Sequence, residues 1–221
     1  MVSIYLNLNI IAAPQHERLI IMQVSIRFAT QDDAQEILEI YAPYVVSTSV
    51  TFETTVPRVY DFKRRIASIA SNTPFLVCEA NGKIAGFAYA SAFGKNIAAC
   101  AWNAYVYVYI SNDYQRCNIA SALYLAVLSL LKAQGYRKAI AMITASNSKS
   151  EAFHSAFGFR KVGTVEDIGF KLGSWHSVSI FEKSLTDSFE PPVTTKSASE
   201  LDKSFCERNF KKAAKIIRLE H

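Results

Sequence analysis

Two hydrophobic periodicities alternate along residues 24–185. Val24, Ile26 and Phe28 occupy every second position, as in a strand with one buried face. Ile37, Leu38 and Tyr41 are three or four residues apart, as on the buried stripe of a helix. Continued along the chain, the two patterns predict strands at 24–28, 75–80, 83–93, 102–110, 136–144, 159–165 and 176–184, and helices from Ala34, after Pro57, at 119–134 and at 148–157.

Turn residues between these segments support the boundaries. Asn81-Gly82 separates two apolar runs, and both residues tolerate the positive φ of a tight hairpin. Gly135 follows the long apolar segment 119–134 as a helix-terminating residue. The resulting order is β α α β β β α β α β β, which predicts the α/β class with a mixed sheet flanked by helices.

The composition divides the chain into four parts. Residues 1–21 are predicted to be an N-terminal extension, and residues 22–185 the folded domain. Residues 186–200 are rich in Ser, Thr and Pro and are predicted to be a linker. Residues 201–221 are predicted to form a basic amphipathic tail helix, whose last residues resemble the start of an affinity tag. That helix either lies on its own domain or binds a partner or a membrane surface.

Charge and cysteine content argue against several classes of protein. The net charge is +5, but residues 203–218 contain six basic residues and one acidic residue, which account for all of it. The rest of the chain is formally neutral, so nucleic-acid binding is not expected. No apolar run reaches the roughly 18–20 residues of a membrane span, and no secretory signal is expected. The cysteines show no paired spacing, which argues against disulfides and a metal site and favours a reducing cytoplasm.

Residues 105–121 combine a strand, a polar loop and the start of a helix. Tyr105 to Ile110 are strand-like, Ser111 to Asn118 are mostly polar, and Ile119 opens the long helix. Free backbone N–H groups and the positive end of the helix dipole meet at such a junction. The junction therefore predicts a site for an anion such as a phosphate group.

Two segments resemble motifs of the GNAT acetyltransferases. The stretch from Gln115 to Ala120 resembles the pyrophosphate loop Q/R-x-x-G-x-G/A, with Asn118 where the loop normally has glycine. The stretch from Asn147 to Ser150, followed by His154 and Gly158-Phe159, is similar to N-x-x-S/A…H/Y-x-x-x-G-F.

Two further segments resemble one branch of that family, the phosphinothricin and methionine sulfoximine acetyltransferases. Residues 169–175 resemble its G-x-K-x-G-x-W segment, and residues 51–53 resemble its early T-x-F-E loop. The four segments occur in the family's order and cover roughly residues 24–185. The resemblance implies the GNAT fold, a mostly antiparallel sheet in which strands four and five splay apart.

The resemblance also implies a site for acetyl-CoA. The exposed backbone of strand four would pair with the pantetheine arm, and the loop and helix start would bind the pyrophosphate. Asn147 would bond the arm, or cap the next helix, or both. The implied coenzyme-binding residues are Val108, Tyr109, Ile110, Gln115, Arg116, Cys117, Asn118, Ile119, Ala120, Ser121, Asn147 and Ser150.

Three residues are candidates for the chemistry. Similar enzymes place a glutamate on strand four to take the proton of the amine, and Tyr105 occupies that position here. A tyrosine phenol is a poor base at neutral pH. Glu53, in the loop expected near the acceptor, is either a substitute base or a solvated carboxylate. His154 either protonates the departing thiolate or is a packed helix histidine.

The sequence thus leaves two functions open. The first is transfer of an acetyl group from acetyl-CoA to the primary amine of a small amino-acid-like molecule, through a ternary complex. The second is a non-catalytic coenzyme A-binding module, whose strand-four glutamate was lost because no chemistry is needed. The resemblance also implies a homodimer.

Overall fold

The computed structural model describes residues 23–94, 97–187 and 190–219, and the predicted extension 1–21 lies outside these residues. The main helices and strands follow the predicted order, and one further helix lies in the tail. They are β1 Val24–Phe28, α1 Ala34–Ser47, α2 Val59–Ala70, β2 Phe75–Ala80, β3 Lys83–Ala92, β4 Asn103–Ile110, α3 Ile119–Gln134, β5 Lys138–Thr144, α4 Ser148–Ala156, β6 Arg160–Lys171, β7 Ser174–Ser184 and α5 Lys203–Ala214.

The strands form one sheet in the order β1-β2-β3-β4-β5-β7-β6. Neighbouring strands are antiparallel except β4 and β5, which are parallel. Of the residues described in β4 and β5, only 103–105 and 138–140 pair, and the strands then separate. This is the splay of strands four and five that the GNAT resemblance implies. The predicted α/β fold with a mixed, mostly antiparallel sheet is therefore confirmed.

Each face of the sheet carries its own hydrophobic cluster. On one face α3 and α5 pack on the strands, with Leu130 fully buried. On the other face α1 and α2 cover the strands, with Ile37 fully buried. The alternation of side chains along β4 assigns Val106 to the first cluster and Tyr109 to the second. The opening between β4 and β5 therefore has two differently lined sides.

The last hairpin is longer than the sequence pattern predicts. Strands were expected at 159–165 and 176–184, but β6 runs on to Lys171 and β7 begins at Ser174. The turn between them places Leu172 and Gly173 at φ +52° and +78°. Because most of the side chains of β6 are at least partly exposed on both faces, no hydrophobic alternation marks this part of the strand.

The tail helix lies on its own domain. The apolar repeat predicts a helix reaching Ile217, whereas α5 ends at Ala214. Its side chains pack on α3 and β1, and the Phe210 ring lies 5.2 Å from that of Phe28. The preceding segment also follows the domain surface, since Trp102 Nε1 donates to the Val193 carbonyl at 2.7 Å. None of the helices in the described ranges has the length and apolar character needed to cross a bilayer.

Candidate active site

The separation of β4 and β5 leaves a cavity of about 210 Å³ in the sheet. One wall is formed by residues 106–109 of β4 and another by residues 141–144 of β5. Residues 50–52, in the loop after α1, close one end, and Ser150 and His154 of α4 contribute to the lining. Because residues of the candidate coenzyme and acceptor sides share this lining, the cavity connects the two.

The backbone of β4 is open to the cavity at Val108. Hydrogen bonds from Ser111 N to Ala85 O and from Phe93 N to Asn103 O fix the pairing of β4 with β3. Since bonded pairs alternate along an antiparallel ladder, odd-numbered β4 residues bond to β3 and even-numbered ones point the other way. Val108 therefore directs its N–H and C=O into the opening.

The two residues beside Val108 have backbone partners within the protein. Tyr109 uses its backbone groups in the ladder with β3, so its backbone cannot pair with a pantetheine arm. Ile110 points its backbone toward the opening, but its carbonyl accepts a hydrogen bond from the Tyr44 hydroxyl at 2.7 Å. Of the three residues predicted for this edge, Val108 is the one whose backbone N–H and C=O point into the opening without a partner among the described residues.

The loop before α3 presents the amides expected of a phosphate site. Arg116 and Asn118 both have positive φ, +66° and +59°, and Asn118 is the N-cap of α3. Asparagine tolerates this conformation better than most residues, which explains how it replaces glycine here. Within the described part of the chain, the N–H groups of residues 118–121 donate to no acceptor. These four groups, at the positive end of a sixteen-residue helix, fit a diphosphate.

The start of α4 is fixed by Asn147. Its side-chain oxygen accepts a hydrogen bond from the Ser150 N–H at 3.1 Å, so Asn147 caps the helix. Ser150, one turn into the helix, lines the cavity. The contact of either residue with a coenzyme stays a prediction.

His154 is a buried histidine with both ring nitrogens engaged. Its Nδ1 lies 2.8 Å from the Ser150 carbonyl, which can only accept, so this nitrogen carries the hydrogen. Its Nε2 then accepts from the Tyr124 hydroxyl at 2.7 Å. Burial lowers the pKa of His154, with the Ser150 carbonyl opposing the shift. These contacts favour a packed neutral imidazole, and the role of His154 as proton donor to sulfur stays a prediction.

The two branch motifs meet in space although they are more than a hundred residues apart. Lys171 Nζ donates to the Thr51 carbonyl at 2.6 Å. The ring of Phe52 lies over Gly169, where an added Cβ would be 2.8–2.9 Å from ring carbons. Burial lowers the pKa of Lys171, while the nearby charge of Glu53 opposes the shift. The hairpin of β6 and β7 therefore positions the loop that closes the cavity.

Glu53 is held beside the aromatic face of the sheet. Its Oε1 accepts a hydrogen bond from Arg65 Nη1 at 2.7 Å, and both side chains are about one-third exposed. The preceding residue in the motif, Phe52, lines the cavity, and Glu53 itself lies just beyond the lining. The carboxylate is thus near the acceptor side, next to a cation.

Tyr105 shares one face of the sheet with other tyrosines. Tyr105, Tyr107 and Tyr109 occupy alternate positions of β4 and point to the face covered by α1 and α2. The Tyr105 ring packs 5.1 Å from that of Phe93, and the Tyr107 ring stacks 4.6 Å from that of Tyr89. Tyr107 lines the cavity, and burial raises its pKa. No cluster of three or more His, Cys, Asp or Glu among the described residues could hold a metal ion.

Comparison with known proteins identifies the family of this chain. A family model described as an acetyltransferase (GNAT) domain matches residues 26–178, more than half of the chain. The phosphinothricin N-acetyltransferase of Streptomyces viridochromogenes is 32% identical over 170 residues, which cover 77% of this chain and 90% of that protein. The chain belongs to the GNAT acetyltransferase family.

A second relative and a solved structure support the same family. The L-methionine sulfoximine/L-methionine sulfone acetyltransferase of Salmonella typhimurium is 25% identical, over 76% of this chain and 98% of that protein. The crystal structure of a GNAT superfamily phosphinothricin acetyltransferase from Sinorhizobium meliloti, in complex with AcCoA, superposes with a TM-score of 0.73 at 30% identity. That match covers 77% of this chain and 93% of the other. GNAT acetyltransferases use acetyl-CoA, so the predicted family, enzyme class and acetyl donor are confirmed.

Several residues of the GNAT site carry no signal in the sequence. Tyr44 lies in α1 and Tyr124 in α3, where aromatic residues at helical spacing indicate only a buried face. Arg65 is one of several basic residues on α2. Their contacts with Ile110, His154 and Glu53 depend on how the helices pack on the sheet.

Proposed function

We propose that this chain transfers the acetyl group of acetyl-CoA to the primary amine of a small, amino-acid-like molecule. The observation that carries the proposal is the opening between β4 and β5, where the backbone of Val108 and the four N–H groups at the start of α3 have no partner among residues 23–94, 97–187 and 190–219. The relatives named for phosphinothricin and for methionine sulfoximine or sulfone support an acceptor of this kind.

The coenzyme side of the site consists mainly of backbone groups. The N–H groups of residues 118–121 would bind the diphosphate, supported by the helix dipole. The N–H and C=O of Val108 would bind the pantetheine arm, and a β4 N–H would polarise the thioester carbonyl by donating to its oxygen. Gln115, Arg116 and Cys117 would line the diphosphate from the loop, and Ser150 and Asn147 would border the arm from α4.

The acceptor side offers a carboxylate next to a guanidinium. Glu53 and Arg65 lie on the aromatic face of the sheet, 2.7 Å apart. Such a pair complements the two charges of an amino acid, because Arg65 can bind a carboxylate while Glu53 binds an ammonium group. This arrangement favours an amino-acid-like acceptor over a simple alkylamine.

Acetyl-CoA supplies an activated acetyl thioester. The amine of the acceptor forms a bond to the acetyl carbon, and the carbon–sulfur bond breaks. Glu53 takes the proton of the amine through an ordered water, since Tyr105 occupies the position of the usual glutamate and is a poor base. The sulfur leaves as a thiolate that solvent protonates, since both ring nitrogens of His154 are engaged in other hydrogen bonds, and the products are the N-acetylated amine and coenzyme A.

A thiol-release assay tests the proposal. The protein is incubated with acetyl-CoA and amino acids, methionine sulfone, methionine sulfoximine or polyamines, and free thiol is measured with a thiol-reactive dye. We expect release with amino-acid-like acceptors, and roughly 10²-fold less for Glu53→Gln. Glu39→Gln, which changes an exposed carboxylate on α1, is the matched control. Equal rates for Glu53→Gln and the control would remove Glu53 from the mechanism.

A coenzyme A-binding module without catalysis is the second candidate. It is favoured by Tyr105 in place of a carboxylate and by the pairing of Glu53 with Arg65. This candidate binds coenzyme A in calorimetry but releases no thiol with any of the amines. The same assay therefore separates the two functions.

The homodimer is also a proposal, with the hairpin of β6 and β7 as its interface. Phe170, Leu172 and Trp175 are 58%, 59% and 62% exposed near the hairpin turn. An apolar group of this kind is typical of a surface that a second protein molecule covers. Light scattering coupled to gel filtration should give the mass of a dimer, and Trp175→Ser with Phe170→Ser should give a monomer.

The location and the division of the chain are also proposals. The four cysteines are free thiols, which supports a reducing, cytoplasmic location. The family match at residues 26–178 supports a catalytic domain of 22–185. The segments 186–200 and 201–221 would then be additions to it.

A further inference from the structure

The segment after α5 contacts the loop that presents the free amides. We define residues 215–219 as the C-terminal clasp. The Arg218 N–H donates to the Cys117 carbonyl at 3.0 Å. The Asn118 side-chain amide donates to the Ile216 carbonyl at 3.2 Å. Two residues of the loop are thus bonded to a segment about one hundred positions further along the chain.

The apolar residues of the clasp also anchor it to the domain. Ile216, Ile217 and Leu219 pack against the same hydrophobic cluster as Tyr114 and Cys117. Upstream, Asn209 of α5 donates to the Ala126 carbonyl of α3 at 3.1 Å. The clasp is therefore seated on α3, the helix whose N-terminus forms the phosphate site.

The clasp holds the loop without using its amides. Its two hydrogen bonds go to a carbonyl and a side chain, whereas the N–H groups of residues 118–121 donate to no acceptor in the described part of the chain. A segment that blocked the site would occupy those groups. The contacts instead stabilise a loop in which Arg116 and Asn118 have positive φ, a conformation that costs free energy in non-glycine residues.

The clasp also adds positive charge beside the site. Lys215 and Arg218 are exposed, as is Arg116 in the loop. None of the three forms an ion pair within the described residues. The Arg218 backbone is bonded directly to Cys117, so one of these three cations is carried by a residue in direct contact with the loop.

We propose that the C-terminal clasp is part of the coenzyme site, where it holds the loop in its binding conformation and supplies Lys215 and Arg218 to the phosphate groups of coenzyme A. This proposal rests on the proposed coenzyme site. It assigns a ligand, the phosphate groups, to the positive charge of the tail. It also explains why asparagine stands at position 118, since glycine would keep the backbone conformation but could not donate a hydrogen bond to the Ile216 carbonyl.

Calorimetry with two coenzymes tests the charges. Coenzyme A and dephospho-coenzyme A, which lacks the 3′-phosphate, are titrated into the full chain at low and high salt. The double variant Lys215→Ala, Arg218→Ala should bind coenzyme A about tenfold more weakly than the wild type at low salt, with a smaller difference at high salt. If the affinity for dephospho-coenzyme A falls equally, the cations contact the diphosphate. If that affinity is unchanged, they contact the 3′-phosphate. Lys211→Ala with Lys212→Ala, two exposed cations within α5, is the matched control and should stay within twofold of the wild type.

Asn118→Gly tests the positioning role with a readout that needs no ligand. Hydrogen exchange at residues 115–121 should be faster than in the wild type, and coenzyme A should bind about fivefold more weakly, as for the loss of one hydrogen bond. Unchanged exchange and affinity would show that the clasp does not hold the loop.

The remaining outcomes decide between the proposals. Unchanged affinity of the Lys215→Ala, Arg218→Ala variant for both coenzymes would overturn the charge contribution. Tighter binding in any clasp variant would show that the segment covers the site. A wild-type protein that does not bind coenzyme A at all would overturn the proposed function, and the role of the clasp with it.

Discussion

Tyr105 lies where β4 and β5 still pair, and its ring packs on Phe93 at the edge of the aromatic face. Its ring therefore lies on the face covered by α1 and α2, next to the β4 residues that line the cavity. A phenol in this place can donate a hydrogen bond but is a poor proton acceptor at neutral pH. The nearby carboxylate, Glu53, reaches this face from a loop and is shared with Arg65.

Restoring a carboxylate on β4 should raise the rate. Tyr105→Glu is expected to increase thiol release at saturating amine by tenfold or more, since a positioned base contributes roughly 10²–10⁴. Tyr105→Gln has a similar size without the base and should give no gain. Steady-state rates of the two variants check the prediction, and equal rates would mean that position 105 does not reach the amine.

His154 should make stability depend on pH. Burial lowers the pKa of His154, so the folded protein keeps it neutral, while the unfolded chain binds a proton below the ordinary pKa of about 6.5. The contribution is therefore fully present above pH 6.5 and is lost as the pH falls below it. Urea unfolding at pH 7.5 and pH 5.5 should show a larger loss for the wild type than for His154→Phe.

The same variant should be less stable at both pH values. Phenylalanine leaves the buried Tyr124 hydroxyl without its partner, which costs about 1–3 kcal/mol. The difference between the two pH values, and not the absolute stability, is therefore diagnostic. If both proteins lose the same free energy on acidification, His154 is not the titrating group.

At the scale of elements, the β6–β7 hairpin and the loop after α1 act as one unit. Lys171 bonds to the Thr51 carbonyl, and Thr144 Oγ1 of β5 donates to the Ser49 carbonyl at 2.5 Å. The Phe52 ring fits over Gly169 because that residue has no side chain. The loop that closes the cavity is therefore held by hydrogen bonds from two strands, β5 and β6.

Gly169→Ala should disturb this unit. The new Cβ would lie 2.8–2.9 Å from the far end of the Phe52 ring, so this ring must move from its place beside the cavity. We expect the KM for the amine to rise more than the KM for acetyl-CoA, since the loop borders the acceptor end. Gly163→Ala is the matched control, because a Cβ at this position of the same strand meets nothing within 4 Å. Similar kinetics for both variants would contradict the coupling.

At the scale of the whole molecule, the sheet separates the proposed coenzyme surface from the proposed acceptor surface. The α3 and α4 side supplies backbone amides, and the α1 and α2 side supplies aromatic rings and the Glu53–Arg65 pair. The parting of β4 and β5 is the place where the two surfaces meet. A coenzyme that spans this opening binds only the folded chain.

Coenzyme A should therefore raise the thermal midpoint. At a concentration one hundred times its Kd, a ligand of the folded state contributes about 2.7 kcal/mol. For a chain of this size that corresponds to a rise of roughly 5–10 °C. Calorimetric scanning checks the value. Pantetheine, which lacks the phosphates, should give a smaller shift when it is added at the same concentration as coenzyme A. An equal shift with pantetheine would mean that the amides before α3 do not bind the diphosphate.

Much of the architecture follows from local sequence. Periodicity and turn residues such as Asn81-Gly82 and Gly135 predicted the bounds of β2 and α3 and the order of the elements. These features depend on neighbours along the chain, so they can be recognised without a structure. The ends of β6 and β7 could not, because their exposed side chains carry no pattern.

The assembly of the site was decided by tertiary structure. The sequence by itself determined the elements, the loop with Asn118 and the absence of a carboxylate at position 105. Only the packing of the sheet decided that the backbone of Val108 and not that of Tyr109 faces the opening, that Glu53 pairs with Arg65, and that the clasp bonds to Cys117 and Asn118. These contacts join residues far apart in the chain, and their partners are set by strand register and helix docking, which no local pattern encodes.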